Sequence, residues 1–342
     1  MAGKLDKFIY GTSHGVRTVW YSAHYAAAMR FAPKIKIPSV GRLPGWHTVY
    51  ADLNQLLRRD WHNIRDGIYP APETESANLF QSARRSLAFF RDLSAVNHRR
   101  AAGITDEIFA VPRSKRYPPY YLQNFHYQSG GYLTDQSANL YDHQVEVLFV
   151  GGADAMRRHA LASLIRYLRR FGRLDTNHLD IACGTGRFLK MLKRARPRQR
   201  VTGIDLSRPY LREAQRILRP WSRTGLVHGN VEYLPFADQT FQTISCIFLY
   251  HELPQKTRPI VTSELARVLK PGGRFFFLDS VQLGDQPDYD GLLKQFSTVF
   301  HEPYYDDFIR TNLTNLFNRS GLQTVETDRA FFAKMIVLEK PP

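Results

Sequence analysis

The chain has 342 residues, of which 43% are hydrophobic, and its 47 Lys and Arg outnumber 31 Asp and Glu for a formal net charge of +16. That length can bury a sizeable core, the composition is that of an ordinary folded protein, and no apolar run approaches the ~20 residues of a membrane-spanning helix. Two cysteines, Cys183 and Cys246, make no disulfide framework. With no secretory pattern at the N-terminus, the expected setting is a reducing cytoplasm, with membrane association left open.

The charge is concentrated. Residues 154–200 carry 13 basic and 3 acidic residues, and residues 1–50 carry 7 and 1. Such asymmetry attracts nucleic acid, an anionic membrane or an acidic substrate. The basic residues are spread over helices, which suits a solvated surface equally well.

Residues 1–31 read as partly helical. Val16, Trp20, Tyr21, Ala23, Ala27, Ala28 and Phe31 form an approximate apolar stripe beside Lys4, Lys7, Arg17 and Arg30. The pattern fits a core-facing helix first and a membrane-surface helix second. Residues 33–72, rich in Pro and Gly, should be irregular around a short helix at 50–61 that buries Leu53, Leu56 and Leu57. A better helix spans 76–97. A short element at 104–111 is followed by Pro112, Pro118 and Pro119.

Residues 117–141 hold Tyr117, Tyr120, Tyr121, Phe125, Tyr127, Tyr132 and Tyr141 around a turn at Gly130-Gly131. Large apolar faces with polar tips suit a lid over a ligand or a joint between domains. Two helices are expected over 140–171, split at Val150-Gly151-Gly152 and ended by Gly172.

From residue 179 the pattern alternates. Strands are expected at 179–181, 200–204, 226–228, 242–249 and 274–279, with helices at 187–195, 210–218 and 258–269 between them. Helices at 290–300 and 305–320 precede two last strands, 321–327 and 331–338. Apolar strands between helices argue for a mostly parallel sheet covered on both faces. The last two strands, with no helix between them, argue for an antiparallel hairpin at the sheet edge.

The stretch Leu179–Phe188, LDIACGTGRF, organises this half. Ala182, Gly184 and Gly186 alternate between a strand end and a helix start, so the backbone can approach a ligand and offer free N–H groups. Asp205, at the end of the second strand, can accept both ribose hydroxyls of a nucleoside. The pyrophosphate fingerprint G-x-G-x-x-G fails, ending on Leu189 if begun at Gly184 and on Arg187 if begun at Ala182. A nucleoside without pyrophosphate fits better.

The blocks DIACGTGRF, VTGIDLS, GNVEYLPFADQTFQTISCIFLYHELP and ELARVLKPGGRFFFLDS resemble, in order and spacing, the class I S-adenosylmethionine-dependent methyltransferases. The nearest resemblance is to the ubiquinone and menaquinone biosynthesis branch, and YDHQVEVLFVGGADAMRRHAL resembles that branch's helical lead-in. The resemblance implies S-adenosyl-L-methionine as cofactor and S-adenosyl-L-homocysteine as product. Asp180, Ala182, Gly184 and Gly186 match the motif that wraps the methionine part, with Ala182 replacing a commoner glycine. Asp205 matches the acid that holds the ribose, with Leu206 beside the adenine. Asn230 and Val231 match the segment that reads the adenine edge, Asn230 standing where aspartate is commoner. Tyr250 falls where the fourth strand ends and the substrate pocket begins, and Tyr132 and Tyr141 should cover the cofactor.

Methyl transfer is mostly positioning, and a base is needed only if the nucleophile is a weak acid. His251 is either that base or a histidine that orients a loop, and Glu252 is either the base or the group that holds the histidine's tautomer. His301, Glu302, Tyr304 and Tyr305 lie in a region that closes the pocket in the resembled fold, while each alone reads as a surface or packing residue. His24, His47, His62, His98 and His126 show no ligand spacing, so no metal site is expected.

The expected architecture is α/β, a doubly wound, seven-stranded, mostly parallel Rossmann-like sheet in residues 150–342. Residues 1–149 form a mostly helical cap, serving the substrate or oligomerisation. The expected substrate is a small apolar or aromatic metabolite, quinone-like or lipid. RNA or protein methylation is the alternative, and a non-catalytic binder the third reading. Nucleic acid is the less favoured partner because FLYHELP lacks the Asn/Asp-Pro-Pro-aromatic pattern of amino-directed enzymes. Peripheral contact with an anionic membrane and a homodimer stay open.

Overall fold

The computed structural model describes residues 3–34, 41, 43–73, 79–110, 117–171 and 176–342. The expected stops at Pro112 and Gly172, and the start of the helix at Ser76, lie outside them.

The apolar runs pair into one sheet. Its strands are β1 (Asn177–Ile181), β2 (Arg200–Asp205), β3 (Thr224–His228), β4 (Phe241–Ile247), β5 (Leu269–Ser280), β6 (Gln323–Ala330) and β7 (Ala333–Glu339), in the order β3-β2-β1-β4-β5-β7-β6. β1 to β5 pair in parallel. Central strands buried on both faces need continuous apolar runs, and Phe275, Phe276, Phe277 and Leu278 are all fully buried. The final hairpin forms at the edge with β7 antiparallel between β5 and β6. Hydrophobicity decides which strand goes inside, since β7 is almost wholly buried and β6 mostly exposed.

Six helices follow the strands: α6 (Arg187–Ala195), α7 (Arg208–Leu218), α8 (Thr257–Val268), α9 (Asp290–Phe300), α10 (Tyr305–Phe308) and α11 (Leu313–Asn318). The single helix expected over 305–320 is two. Gln282 Nε2 donates to the carbonyls of Phe308 and Thr311 at 2.8 and 2.6 Å, and the Asn312 side chain starts α11 by accepting from Asn315 N at 2.9 Å.

The N-terminal half holds α1 (Lys4–Arg30), α2 (Trp46–Arg65), α3 (Leu79–Ala102), α4 (Asp135–Leu148) and α5 (Ala153–Leu168). α2 extends beyond the short helix expected at 50–61. Its Leu53, Leu56 and Ile64 join the same core as the sheet and α5. Asp60 of α2 takes both arms of Arg158 at 2.8 and 2.7 Å, and Asp52 takes both arms of Arg329 at 2.5 and 3.0 Å. The apolar stripe of α1 is only in part the core face expected for it, since Tyr21 is buried and most of the rest is not. Val16 and Phe31 are 66% and 67% exposed, while Tyr10, His14, Tyr21 and His24 point inward.

Candidate active site

β1 ends at Ile181 and the chain turns through positive φ at Ala182 (+50°), Gly184 (+54°) and Gly186 (+76°). At Ala182 a Cβ makes this conformation cost about 1–2 kcal/mol, which is why glycine suits the position better. A Cβ at Gly184 would lie 3.9 Å from the Tyr210 ring, across an open cavity floor. A Cβ at Gly186 would meet Ala214 of α7 at 3.1 Å. Gly186 is therefore a correction: its small size serves the packing of α6 on α7, and it does not line the cavity.

Asp205, at the tip of β2, is fixed by two backbone donors, Gly184 N to Oδ2 at 2.8 Å and Ser207 N to Oδ1 at 2.7 Å. Burial pushes its pKa up to about 6 against these bonds. Asp180 accepts from Ser245 Oγ at 2.5 Å, and burial raises it to about 7. Behind Ser245 stands His178, 3.0 Å from both Ser245 Oγ and Thr243 Oγ1 and held neutral by burial, its pKa down to about 3. The two acids at the ends of adjacent parallel strands thus face the cavity with fixed orientations. A nucleoside's hydroxyls and a ligand's ammonium are the groups such acceptors suit.

Asn230, Val231 and Leu206 line one side of the cavity. Asn230 already accepts from Glu232 N at 3.0 Å through its side-chain oxygen, leaving that oxygen one lone pair. The roof is aromatic. Tyr132 stacks on Phe125 at 5.5 Å and meets Tyr141 and Tyr210 edge-on at 6.2 and 5.6 Å. Tyr121, Phe125, Tyr132 and Tyr141 all come from residues 117–141, so this stretch lies over the cavity. Thr185 Oγ1 donates to both oxygens of Asp142 at 3.1 Å, tying α4 to the turn after β1.

Beyond β4 the backbone turns at Phe248 (φ +59°) into a single helical turn, Tyr250–Glu252. That turn sends neighbouring side chains opposite ways. Tyr250 is a second correction: it is fully buried, its hydroxyl 2.9 Å from Thr262 Oγ1 and its ring against Phe277 and Phe317, away from the cavity. Glu252 faces the cavity and accepts from Tyr132 Oη at 2.6 Å.

His251 stands behind Glu252, its Nε2 3.8 Å from Glu252 Oε1 and its Nδ1 2.5 Å from Asp279 Oδ1. Burial would depress its pKa, but the Asp279 charge and hydrogen bond prevail and lift it to about 10. His251 does not line the cavity, and with its pKa raised it suits the loop-orienting role better than that of the base. Burial and then the charge of Glu302 raise Glu252 to about 7, against the pull of His251.

Glu302, read from the sequence as a surface or packing residue, is fully buried here, with Oε1 3.0 Å from His126 Nε2. Burial lowers the pKa of His126, but the charge and hydrogen bond of Glu302, with the charge of Glu252, together raise it. His126, Glu252 and Glu302 bring their side-chain donor atoms within 4.8 Å of one another, although their sequence spacing gave no sign of it. Each of the three is already paired within the protein: His126 with Glu302, and Glu252 with Tyr132.

The sequence matches the family described as "Methyltransferase domain" over residues 179–273. It is 32% identical over 222 residues to the demethylmenaquinone methyltransferase of Lactiplantibacillus plantarum, a match covering 58% of this chain and 90% of that protein. The chain belongs to the class I S-adenosylmethionine-dependent methyltransferases, and its methyl donor is S-adenosylmethionine. The demethylmenaquinone methyltransferase of Bacillus licheniformis is 31% identical over 143 residues, 42% of this chain and 56% of its own length. A solved S-adenosylmethionine-dependent methyltransferase from Aquifex aeolicus aligns at 18% identity over 51% of this chain and 88% of that one, with a TM-score of 0.39.

Proposed function

We propose that this chain methylates a small hydroxylated aromatic metabolite of the quinol type, in the manner of the ubiquinone and menaquinone branch it resembles. One observation carries the reading. Glu252, an acid whose pKa burial and Glu302 raise to about 7, opens onto a cavity roofed by aromatic rings. A base poised near neutrality suits a hydroxyl that must lose its proton, and the rings suit an apolar body.

Asp180 and Asp205 hold the polar ends of S-adenosylmethionine in this reading, Leu206, Asn230 and Val231 flank its adenine, and Tyr132 and Tyr141 cover it. The cofactor, when bound, supplies an electrophilic methyl group. Glu252 receives the proton of the substrate hydroxyl, with Tyr132 Oη fixing the carboxylate that takes it; the electron-rich ring carbon beside the oxygen then accepts the methyl and loses its own proton as the hydroxyl regains one. His251, held by Asp279, stands behind Glu252 and steadies its negative form. Residues 117–141 act as the cap, supplying most of the aromatic roof.

The test is incubation of the full chain with methyl-labelled S-adenosylmethionine and three acceptors: a short-chain demethylmenaquinol, total RNA and a protein extract. Label in the quinol alone is expected. Label in RNA or protein, or none in the quinol while cofactor binding is demonstrated, overturns the reading.

A further inference from the structure

Helix α1 presents its apolar side to solvent. Leu5, Phe8, Val16 and Val19 are 70%, 70%, 66% and 71% exposed, and Ala23 and Ala26 extend the row at helical spacing. The opposite side carries the polar contacts. Tyr10 Oη donates to Asp60 at 2.5 Å, and Arg17 Nη2 lies 2.8 Å from Glu146 Oε1. Both carboxylates are 2% exposed. Turning α1 to bury its apolar row would break both of these contacts inside the protein, which opposes the turn. The outward face is therefore fixed by what lies beneath it.

α3 packs beside α1 and adds exposed apolar surface of its own. Phe90 stacks on His24 of α1 with centroids 5.1 Å apart, and Leu87, one turn earlier, is 52% exposed. The exposed Lys, Arg, Asp and Glu side chains described on these two helices are Lys4, Lys7, Arg30, Arg84 and Arg91 against Asp6 alone. The result is an apolar strip with a basic rim.

We propose that this face docks on an anionic membrane surface, with α1 lying in the plane of the headgroups. The apolar row enters the acyl boundary and the rim meets lipid phosphates. Charge selects this occupant over a second copy, because two such faces pressed together would oppose one basic rim to another. No helix among the described residues is long and apolar enough to cross a membrane, so the contact is peripheral. The proposal stands whatever the methyl acceptor is, since none of these residues lines the cavity under the aromatic roof.

The test is flotation of the full chain with vesicles of phosphatidylcholine alone or with about one third phosphatidylglycerol, at low and high salt. The comparison is a variant carrying Leu5→Gln, Phe8→Gln, Val16→Gln and Val19→Gln, whose changes are all on the surface. Wild type should float with the anionic vesicles at low salt. High salt, or the variant, should lower the partition ~10-fold or more, while circular dichroism and S-adenosylmethionine binding of the variant stay as in wild type. Absence of flotation, or equal flotation by the variant, overturns the proposal. So does a wild-type dimer that the variant splits into monomers without any flotation, which would assign the face to a second copy.

Discussion

His251 Nδ1 lies 2.5 Å from Asp279 Oδ1 at the end of β5, a contact that holds the ring behind Glu252 and out of the cavity lining. Asp279 also receives the backbone N–H groups of Leu249 and Tyr250 at 3.1 and 2.7 Å. One carboxylate thus fixes both the position of the imidazole and the path of the turn that aims Glu252.

Glu252→Gln keeps the size of the side chain and an acceptor for Tyr132 but cannot take a proton. It should lower kcat by ~10²–10⁴-fold and leave cofactor affinity unchanged. Steady-state kinetics with calorimetric titration reads both, and a kcat near wild type removes Glu252 from the role of base.

The pH profile of kcat/KM should rise through a limb near pH 7, where Glu252 titrates. The working form is the carboxylate, so activity is lost as pH falls through that value. The charge of Glu302 raises the pKa of Glu252, so Glu302→Gln should move the limb to lower pH. A limb that stays in place or moves up contradicts the assignment.

Asp205→Asn removes the charge from the acceptor at the end of β2. Loss of one charge-assisted hydrogen bond should weaken S-adenosylmethionine binding by about 2 kcal/mol, ~30-fold in Kd. Calorimetry on the variant, with its melting temperature as control, decides whether this acid meets the cofactor.

Tyr250→Phe deletes the hydroxyl that meets Thr262 and nothing that faces the cavity. It should cost ~1 kcal/mol of stability in urea unfolding and leave cofactor binding intact. Weakened binding without lost stability would return Tyr250 to the cavity wall.

The parallel half of the sheet was legible because β1, β2, β4 and β5 are apolar runs separated by helices, and Asp180 and Asp205 fall at strand ends where topology opens a crevice. Three things were not legible. Helical periodicity shows that α1 has two faces but not which one turns inward, and buried Asp60 and Glu146 decide that. The sides taken by Tyr250 and Glu252 depend on a positive φ at Phe248, which β-branching and hydrophobicity do not announce. His126 and Glu302 belong to remote segments with no shared pattern, and only packing brings them to 3.0 Å.

The pairing of α2 with distant arginines bears on how the protein is made. Asp60 waits for Arg158, 98 residues later, and Asp52 for Arg329, 277 residues later in the next-to-last strand. A chain leaving the ribosome therefore carries α2, with its exposed Leu53 and Leu56, through 98 residues of synthesis before Arg158 follows Asp60 and through 277 before Arg329 follows Asp52. Contacts of such long range form slowly, and unmatched apolar helices invite aggregation in the interval. Yield of active protein should therefore depend on translation speed and on holding factors, with cooler, slower expression giving the larger native fraction.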